Sequence, residues 1–430
     1  MGSRFDTKGS CKLNSFYSKF RNEIAAGGAT DDKDLAQNNS ATTATTASTV
    51  IVVVGLLAWL GVKNPWSLLF VAGLIVSVFL HEVGHFVTAR RSGMKVTQFY
   101  MGFGPRVWSI KRGEVEFGIR ALPIGAFVRI VGMNNLDECD PIDEPRTYRQ
   151  QSFPKRMLVI TAGSVMHMII AIVLFVGVYA TAGRFADTKE LLIYGDPVAE
   201  SPAERIGLQQ GDQILAIDAT AISRRTELVQ AVTAKNPGDS VTVKFKRGGE
   251  VFSVETKLIS SPVNASVAFL GVATDSYRYV RQNPLSAFGY GVYDVAQASR
   301  ASVAGVFVVV NPANIFSNVI ADEPDPMTRP TTVVGASQVG GEIGRSEGLK
   351  GLLMLLASVN VFVGVFNMLP LLPFDGGHAA IAIYERFRSR RGRVYRADVG
   401  KMIPVATTVV ALLATLLVAG LYLDITSPIG

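Results

Sequence analysis

The sequence predicts a polytopic α-helical membrane protein, four core spans plus an extra N-terminal helix, with one soluble α/β domain inserted between spans. Three observations predict it. Of 430 residues, 48% are hydrophobic and only 18% charged, a balance too apolar for an ordinary soluble chain. Apolar runs ending near Leu80, Ala182, Pro373 and Leu423 are long enough to approach or exceed the roughly 20 residues that cross a hydrocarbon core. Between the second and third of these, residues 189–258 have ordinary polar content and strand-like alternation.

The elements follow in order. Residues 1–46 carry Thr/Ala repeats and scattered charge, which reads as a disordered cytoplasmic tail. Residues 48–62 are an apolar segment short for a full span, broken by Lys63-Asn64-Pro65, so residues 48–90 read as a helical hairpin. Trp66–Leu80 carries no charge and runs into His81-Glu82-Val83-Gly84-His85. Residues 96–133, rich in Val, Phe, Tyr and Ile with repeated Gly, predict strands and turns. Together residues 47–183 form an N-terminal membrane domain. The soluble domain, 189–272, opens with Ser201-Pro202-Ala203-Glu204, an N-cap with Pro at N1 and Glu at N3. Its Arg247-Gly248-Gly249-Glu250 is a hairpin turn. Residues 284–349 read as an amphipathic helical segment followed by a Pro/Gly-rich linker at 321–349. Residues 350–425 form a C-terminal membrane domain.

The net charge of +7 is concentrated beside the apolar runs and is a topology signal rather than a nucleic-acid surface. Arg90, Arg91, Lys95, Arg106, Lys111 and Arg112 form one basic stretch; residues 386–401 form another. Placing both in the cytoplasm sets the soluble domain outside the cell membrane and the His81–His85 end of its span toward the cytoplasmic side. Cys11 and Cys139 are isolated, so neither a disulfide framework nor a CxxC metal site is expected.

HExxH on a helix sets two imidazoles one turn apart on one face, a spacing that suits tetrahedral zinc, with the intervening Glu82 placed as general base. Such residues at membrane depth mark a functional site. The second piece is Asn367-Met-Leu-Pro370-Leu-Leu-Pro373-Phe-Asp375-Gly-Gly-His378. Alone, Asp375 reads as a turn residue ending a helix; beside HEVGH on a separate span it completes two His and one carboxylate, leaving one position open to water. His167, in an apolar segment, reads as a hydrogen-bonded packing residue, and His378 as a residue that does not ligate directly.

HEVGH, Phe103-Gly104-Pro105, Pro123-Ile-Gly-Ala-Phe-Val128, the Asn367…Asp375-Gly376 run and a Ser-Pro-Ala…Gly-Leu…Gly-Asp-Gln-Ile pattern together resemble the bacterial site-2 protease family of intramembrane zinc metalloproteases with a PDZ domain. The resemblance spans roughly residues 66–425. It implies zinc on His81, His85 and Asp375, Glu82 as general base, and Asn367 at the substrate. It implies cleavage of single-span membrane signalling proteins, such as anti-sigma factors, within the lipid bilayer after an upstream site-1-type protease has trimmed them. One departure is plain: Ala162-Gly-Ser164-Val-Met-His167 stands where bacterial members commonly show Ala-Gly-Pro-x-x-Asn. The alternative to an enzyme is a non-catalytic zinc-containing membrane adaptor that binds partners through its PDZ-like domain; Glu82 argues against it, because a structural metal site needs no base.

Overall fold

The computed structural model describes residues 42–133, 139–389 and 394–429. Most of the expected tail, with Cys11, and Arg390, Arg391 and Arg393 of the second basic stretch lie outside the described residues. Two compact units form: one from the residues up to Gly177 together with those from Phe288, the other from Val178 to Ala287.

In the first unit, five described helices are long and apolar enough to cross a membrane, or six if the pair Pro284–Val309 and Pro312–Ile320, bent by 66°, counts as one. The first, Thr42–Lys63, begins inside the stretch expected to be tail. Asn64 ends it and caps the next helix, Pro65–Arg91, its side chain accepting from the amides of Trp66 and Ser67. The remaining three are Phe153–Thr181, Val333–Phe366 and Ile403–Thr426. Their outer surfaces carry exposed Val, Leu and Ile, among them Val52, Leu56, Val76, Val173, Leu417 and Val418. Their interior holds Ser67, Ser77, His81, His85, Ser164, His167 and Asn360, all buried. That inversion of the soluble pattern is what a hydrocarbon solvent selects.

The expected linker at 321–349 is corrected. From Val333 onward it is helix, interrupted only at Gly348, whose φ of 66° lies outside the helical region. Its glycines are packing positions, not flexible joints. A Cβ on Gly340 would lie 2.8 Å from Phe70 Cγ, on Gly341 2.1 Å from Asn64 Nδ2, and on Gly344 2.5 Å from Trp66 Cβ. The absent side chains let this helix lie directly on Pro65–Arg91, the small-residue packing common between membrane helices. Asp424 fixes where the helix begins. Wholly buried, it accepts from Arg329 Nη2 (2.9 Å), the Thr332 amide and hydroxyl (2.9 and 2.7 Å) and the Gly335 amide (3.0 Å). The carboxylate satisfies helix-end donors that would otherwise be orphaned.

Between the HEVGH helix and Phe153–Thr181 lies a hairpin of two long strands, Val96–Arg112 and Val115–Ile130. Each strand folds over. Residues 99–101 pair with 126–128 on one side and with 117–119 on the other, while 108–112 pair with 115–119. The hairpin is therefore four short strands wide, with 126–130 along one edge. Gly102 and Gly104, at φ 89° and 79°, sit where the first strand turns, a conformation that glycine adopts without penalty.

The second unit has a six-stranded sheet. Thr274–Val280, Arg184–Ile193, Gln213–Ile217, Ser240–Arg247 and Glu250–Lys257 lie side by side, and Thr220–Ala221 pairs with Gln213–Ile217. The sheet thus takes in strands on either side of residues 189–272. Leu191, Ile193, Ile214, Ile217, Val241, Val243 and Phe245 face helices Pro202–Arg205 and Arg225–Thr233 in one core. Burial pushes the Asp212 carboxyl up. Two hydrogen bonds from Arg247 (2.6 and 2.7 Å) and one from the Gln209 amide outweigh it and hold the group below its ordinary value.

The packing role of the glycines is testable. Gly341→Val should lower stability by about 1–3 kcal/mol, the usual cost of overpacking, seen as a lower thermal midpoint in detergent. Gly289→Ala, with nothing within 4 Å of its added carbon, should leave the midpoint unchanged or raised.

Candidate metal centre

The HEVGH helix turns His81 and His85 inward, both buried. His85 Nδ1 donates to the backbone oxygen of Val159 on the neighbouring helix at 2.8 Å. That bond fixes the tautomer and leaves the Nε2 lone pair facing the interior. Asp375 enters from the other half of the chain. The prolines at 370 and 373 end the Val333–Phe366 helical path, and Asp375 opens the helix Asp375–Arg388. The Gly376 amide donates to the Asn367 backbone oxygen at 2.8 Å, closing the turn that aims Asp375 at the histidines. His81 Nε2 and His85 Nε2 lie 3.1 Å apart, and Asp375 Oδ2 is 3.4 Å from the first and 3.2 Å from the second. Atoms roughly 2.0–2.2 Å from a tetrahedral zinc ion are separated by roughly 3.3–3.6 Å, so the three ligand atoms stand within a few tenths of an ångström of that triangle.

Gly163 supplies the second test of fit. A Cβ there would lie 2.3 Å from His81 Cε1 and 2.4 and 2.5 Å from the two Nε2 atoms. The chain keeps this face clear of any side chain. Gly84 plays the same part for the backbone: a Cβ on it would meet the Ala162 oxygen at 2.8 Å, so the two helices approach closely here because Gly84 has no side chain. Two neutral imidazoles and a carboxylate are the donor set of a catalytic zinc site with one open position.

Glu82 is half-buried on the flank of the same helix, and its carboxyl reaches the backbone amide of Val128 on the edge strand. Asn367 is half-buried at the end of Val333–Phe366, beside the Asp375 turn. His167 is not among the converging ligands. Its ring lies 4.9 Å from that of His81, and its Nδ1 donates to Asn360 Oδ1 at 2.8 Å. Asn360 Nδ2 donates in turn to Leu356 O and Ser77 Oγ (2.8 and 3.1 Å), which fixes the amide orientation. Asn360 escaped the sequence reading; a lone Asn at mid-span was its signal. His378 lies one turn after Asp375 and lines a small cavity with Tyr148, Arg156 and Glu385. There Arg156 and Glu385 form a buried ion pair at 2.7 Å that ties the helix bearing Asp375 to Phe153–Thr181.

Outward-facing apolar helices around this cluster define a multi-pass helical protein of membrane type, with a buried group of two histidines and one carboxylate that could hold a metal ion. The sequence profile of "Peptidase family M50" matches residues 69–411, and the chain belongs to that family. It is 32% identical over 395 residues to "Zinc metalloprotease Rip1" of Mycobacterium tuberculosis (strain H37Rv), across 84% of this chain and 97% of that protein. The Rip1 of Mycolicibacterium smegmatis is also 32% identical, over 404 residues and the same shares. "Putative zinc metalloprotease CPE1693" of Clostridium perfringens is 30% identical over 309 residues, 72% of this chain and 84% of that one. The PDZ domain of the SdrC-like protein of Listeria monocytogenes aligns with 21% of this chain and 90% of that domain, at 21% identity and a TM-score of 0.19, a likeness too slight to build on.

Gly163→Ala should displace both imidazoles. Divalent metal retained by the purified chain should fall at least about tenfold, the lower end of the cost of disturbing a metal site's supporting shell. Metal analysis after dialysis checks this, and near-full retention would show that the clear face is incidental.

Proposed function

We propose that this chain is an intramembrane zinc metalloendopeptidase with His81, His85 and Asp375 as its zinc ligands and Glu82 as its general base. The observation that carries the proposal is the convergence of three ligand atoms within 3.1–3.4 Å, from two helices far apart in sequence, with Glu82 on the same helix as two of them. His81, His85 and Asp375 would hold the zinc ion, which would supply Lewis acidity and a water nucleophilic near neutral pH. Glu82 is placed to take the proton of the water that attacks the scissile carbonyl. Asn367, beside the Asp375 turn, donates to the substrate carbonyl as charge builds on its oxygen.

A helical substrate hides its carbonyls in intrahelical bonds and must unwind to react. The edge strand 126–130 offers it a place. Its inner side pairs with 96–101, and the Val128 amide lies against Glu82, so a peptide added along this edge runs past the base. The substrates are single-span membrane signalling proteins of the anti-sigma-factor kind, trimmed first by a site-1-type protease. With the basic stretches taken as cytoplasmic, the metal centre faces the cytoplasmic side and Val178–Ala287, read as a PDZ-like domain, lies outside. There the domain blocks bulky ectodomains and admits trimmed ones.

Glu82→Gln should keep zinc and fold and lose at least about 10²-fold in cleavage, the scale of general-base catalysis. Asp375→Ala should lose the zinc itself. Zinc analysis paired with cleavage of a reconstituted membrane-span substrate reads both. Substantial turnover by Glu82→Gln would favour an adaptor, and full zinc in Asp375→Ala would remove the ligand assignment.

A cysteine placed at Lys235 should label from outside intact cells, and one at Arg386 only after permeabilisation. Removing residues 184–280 should leave zinc bound and permit cleavage of untrimmed substrate. The opposite labelling pattern would overturn the topology. Loss of all cleavage with zinc retained would make the domain an obligatory docking site.

A further inference from the structure

At the end of the HEVGH helix lies a second cavity, of about 400 Å³, separate from the metal centre. Phe86, Val87, Val115 and Phe117 form its apolar wall, and Arg90, Arg91 and Arg112 stand at its mouth. All three arginines are exposed, and none is ion-paired among the described residues. The nearby carboxylate of Glu114 is engaged elsewhere, held by both terminal nitrogens of Arg146 at 2.6 and 2.7 Å. Arg146 holds the Glu114 carboxyl below its ordinary value and Arg90 is close enough to help, but the ion pair is with Arg146. Three exposed guanidinium groups without an ion pair of their own among the described residues, over a pocket of ligand size, favour an anionic ligand.

We propose that this cavity binds one anionic phospholipid, its phosphate held by Arg90, Arg91 and Arg112 and the upper part of an acyl chain lying against Phe86, Val87, Val115 and Phe117. The position is the main argument for a lipid. Arg90 and Arg91 form the last turn of a membrane-length helix, the level at which headgroup phosphates meet the glycerol ends of acyl chains, and the cavity's lining pairs the arginines with apolar side chains. The three charges match a monoanionic or dianionic headgroup, and guanidinium forks bind phosphate oxygens in pairs. A free phosphate would use the arginines but leave the wall uncovered.

The site is mechanically joined to the catalytic region. Phe86 follows His85 in the chain. Its ring packs on Phe99 and Phe117 of the hairpin, with centroids 5.3 and 5.6 Å away. Phe99 pairs with Val128 of the edge strand. A bound lipid bridges the end of the HEVGH helix and the hairpin tip, and holds the edge strand against Glu82.

The test uses the full chain, purified in detergent with phosphatidylglycerol and phosphatidylcholine at equal concentration, with retained lipid counted by native mass spectrometry. The wild type should retain one phosphatidylglycerol. A basic residue near an anionic lipid contributes about fivefold in affinity, so Arg90→Gln/Arg91→Gln/Arg112→Gln should lower retention by on the order of 10²-fold while zinc content stays normal. Val87→Trp, which fills the cavity and leaves every charge, should also lower retention. Neutralising Arg386, Arg388 and Lys401, basic residues away from the cavity, should not. Equal loss in that control would reduce the effect to general surface charge and overturn the site. Unchanged retention in both cavity variants would overturn it as well. Displacement of the lipid by millimolar inorganic phosphate, or by an acidic peptide in its place, would assign the arginines to those ligands and overturn the lipid.

Discussion

Two imidazoles and a carboxylate have to be held together inside a helical bundle whose outer surface is apolar, and much of the membrane unit is arranged around that constraint. Polar side chains at this depth are costly unless each finds a partner. The partners lie on other helices, so the helices must approach closely. Small residues make that possible. Gly84 lets the HEVGH helix touch the backbone at Ala162, Gly163 keeps the face over the two Nε2 atoms clear, and Gly340, Gly341 and Gly344 let Val333–Phe366 lie on Trp66 and Phe70. Larger residues at these positions would part the helices and separate His85 from Val159 and Asp375.

Around the three ligand atoms a second layer of hydrogen bonds fixes direction. His85 is oriented by a main-chain oxygen. The Asp375 turn is closed through the Asn367 backbone oxygen. Its helix is anchored by the buried Arg156–Glu385 pair, where Glu385 also accepts from the Ala397 amide at 2.7 Å. Breaking such a pair on one side leaves an uncompensated buried charge, so the pair resists displacement of the helix that carries Asp375. The His167–Asn360–Ser77 chain does the same for the wall beside His81. In this chain a histidine occupies the place where the resemblance led to an asparagine. It is accommodated because Asn360, on the facing helix, accepts its proton.

The folded-over hairpin gives the centre a directional approach. A flat two-stranded ribbon would offer two long edges. Here the overlapping registers cover most of both strands and leave 126–130 along the side of the sheet that meets Glu82. The free edge of the strand and the Glu82 carboxyl thereby face the same strip of space, which is the arrangement the proposed cleavage of an unwound helix calls for. The Pro123–Val128 motif is explained in the same terms, since Val128 is the residue whose amide meets Glu82.

The sequence by itself determined the class of fold, the HEVGH helix, the soluble insertion and the candidate ligand set, because these are written in local signals: apolar runs, i and i+4 spacing, turn chemistry, and a carboxylate after a proline-broken span. Residues 333–347 could not be read this way. Glycines there have the composition of a linker, and only the facing Trp66, Phe70 and Asn64 show that they are contact points in a helix. Asn360 signalled only that a polar group lies in a span; what it does depends on His167, nearly two hundred residues earlier. The four-strand width of the hairpin depends on how two strands fold over each other, which no alternation pattern encodes. Periodicity and spacing report which face of an element a residue occupies. Which other face it meets, and how closely, is a property of the assembled bundle, so the triangle of ligand atoms and the clear space over it were decided only by tertiary structure.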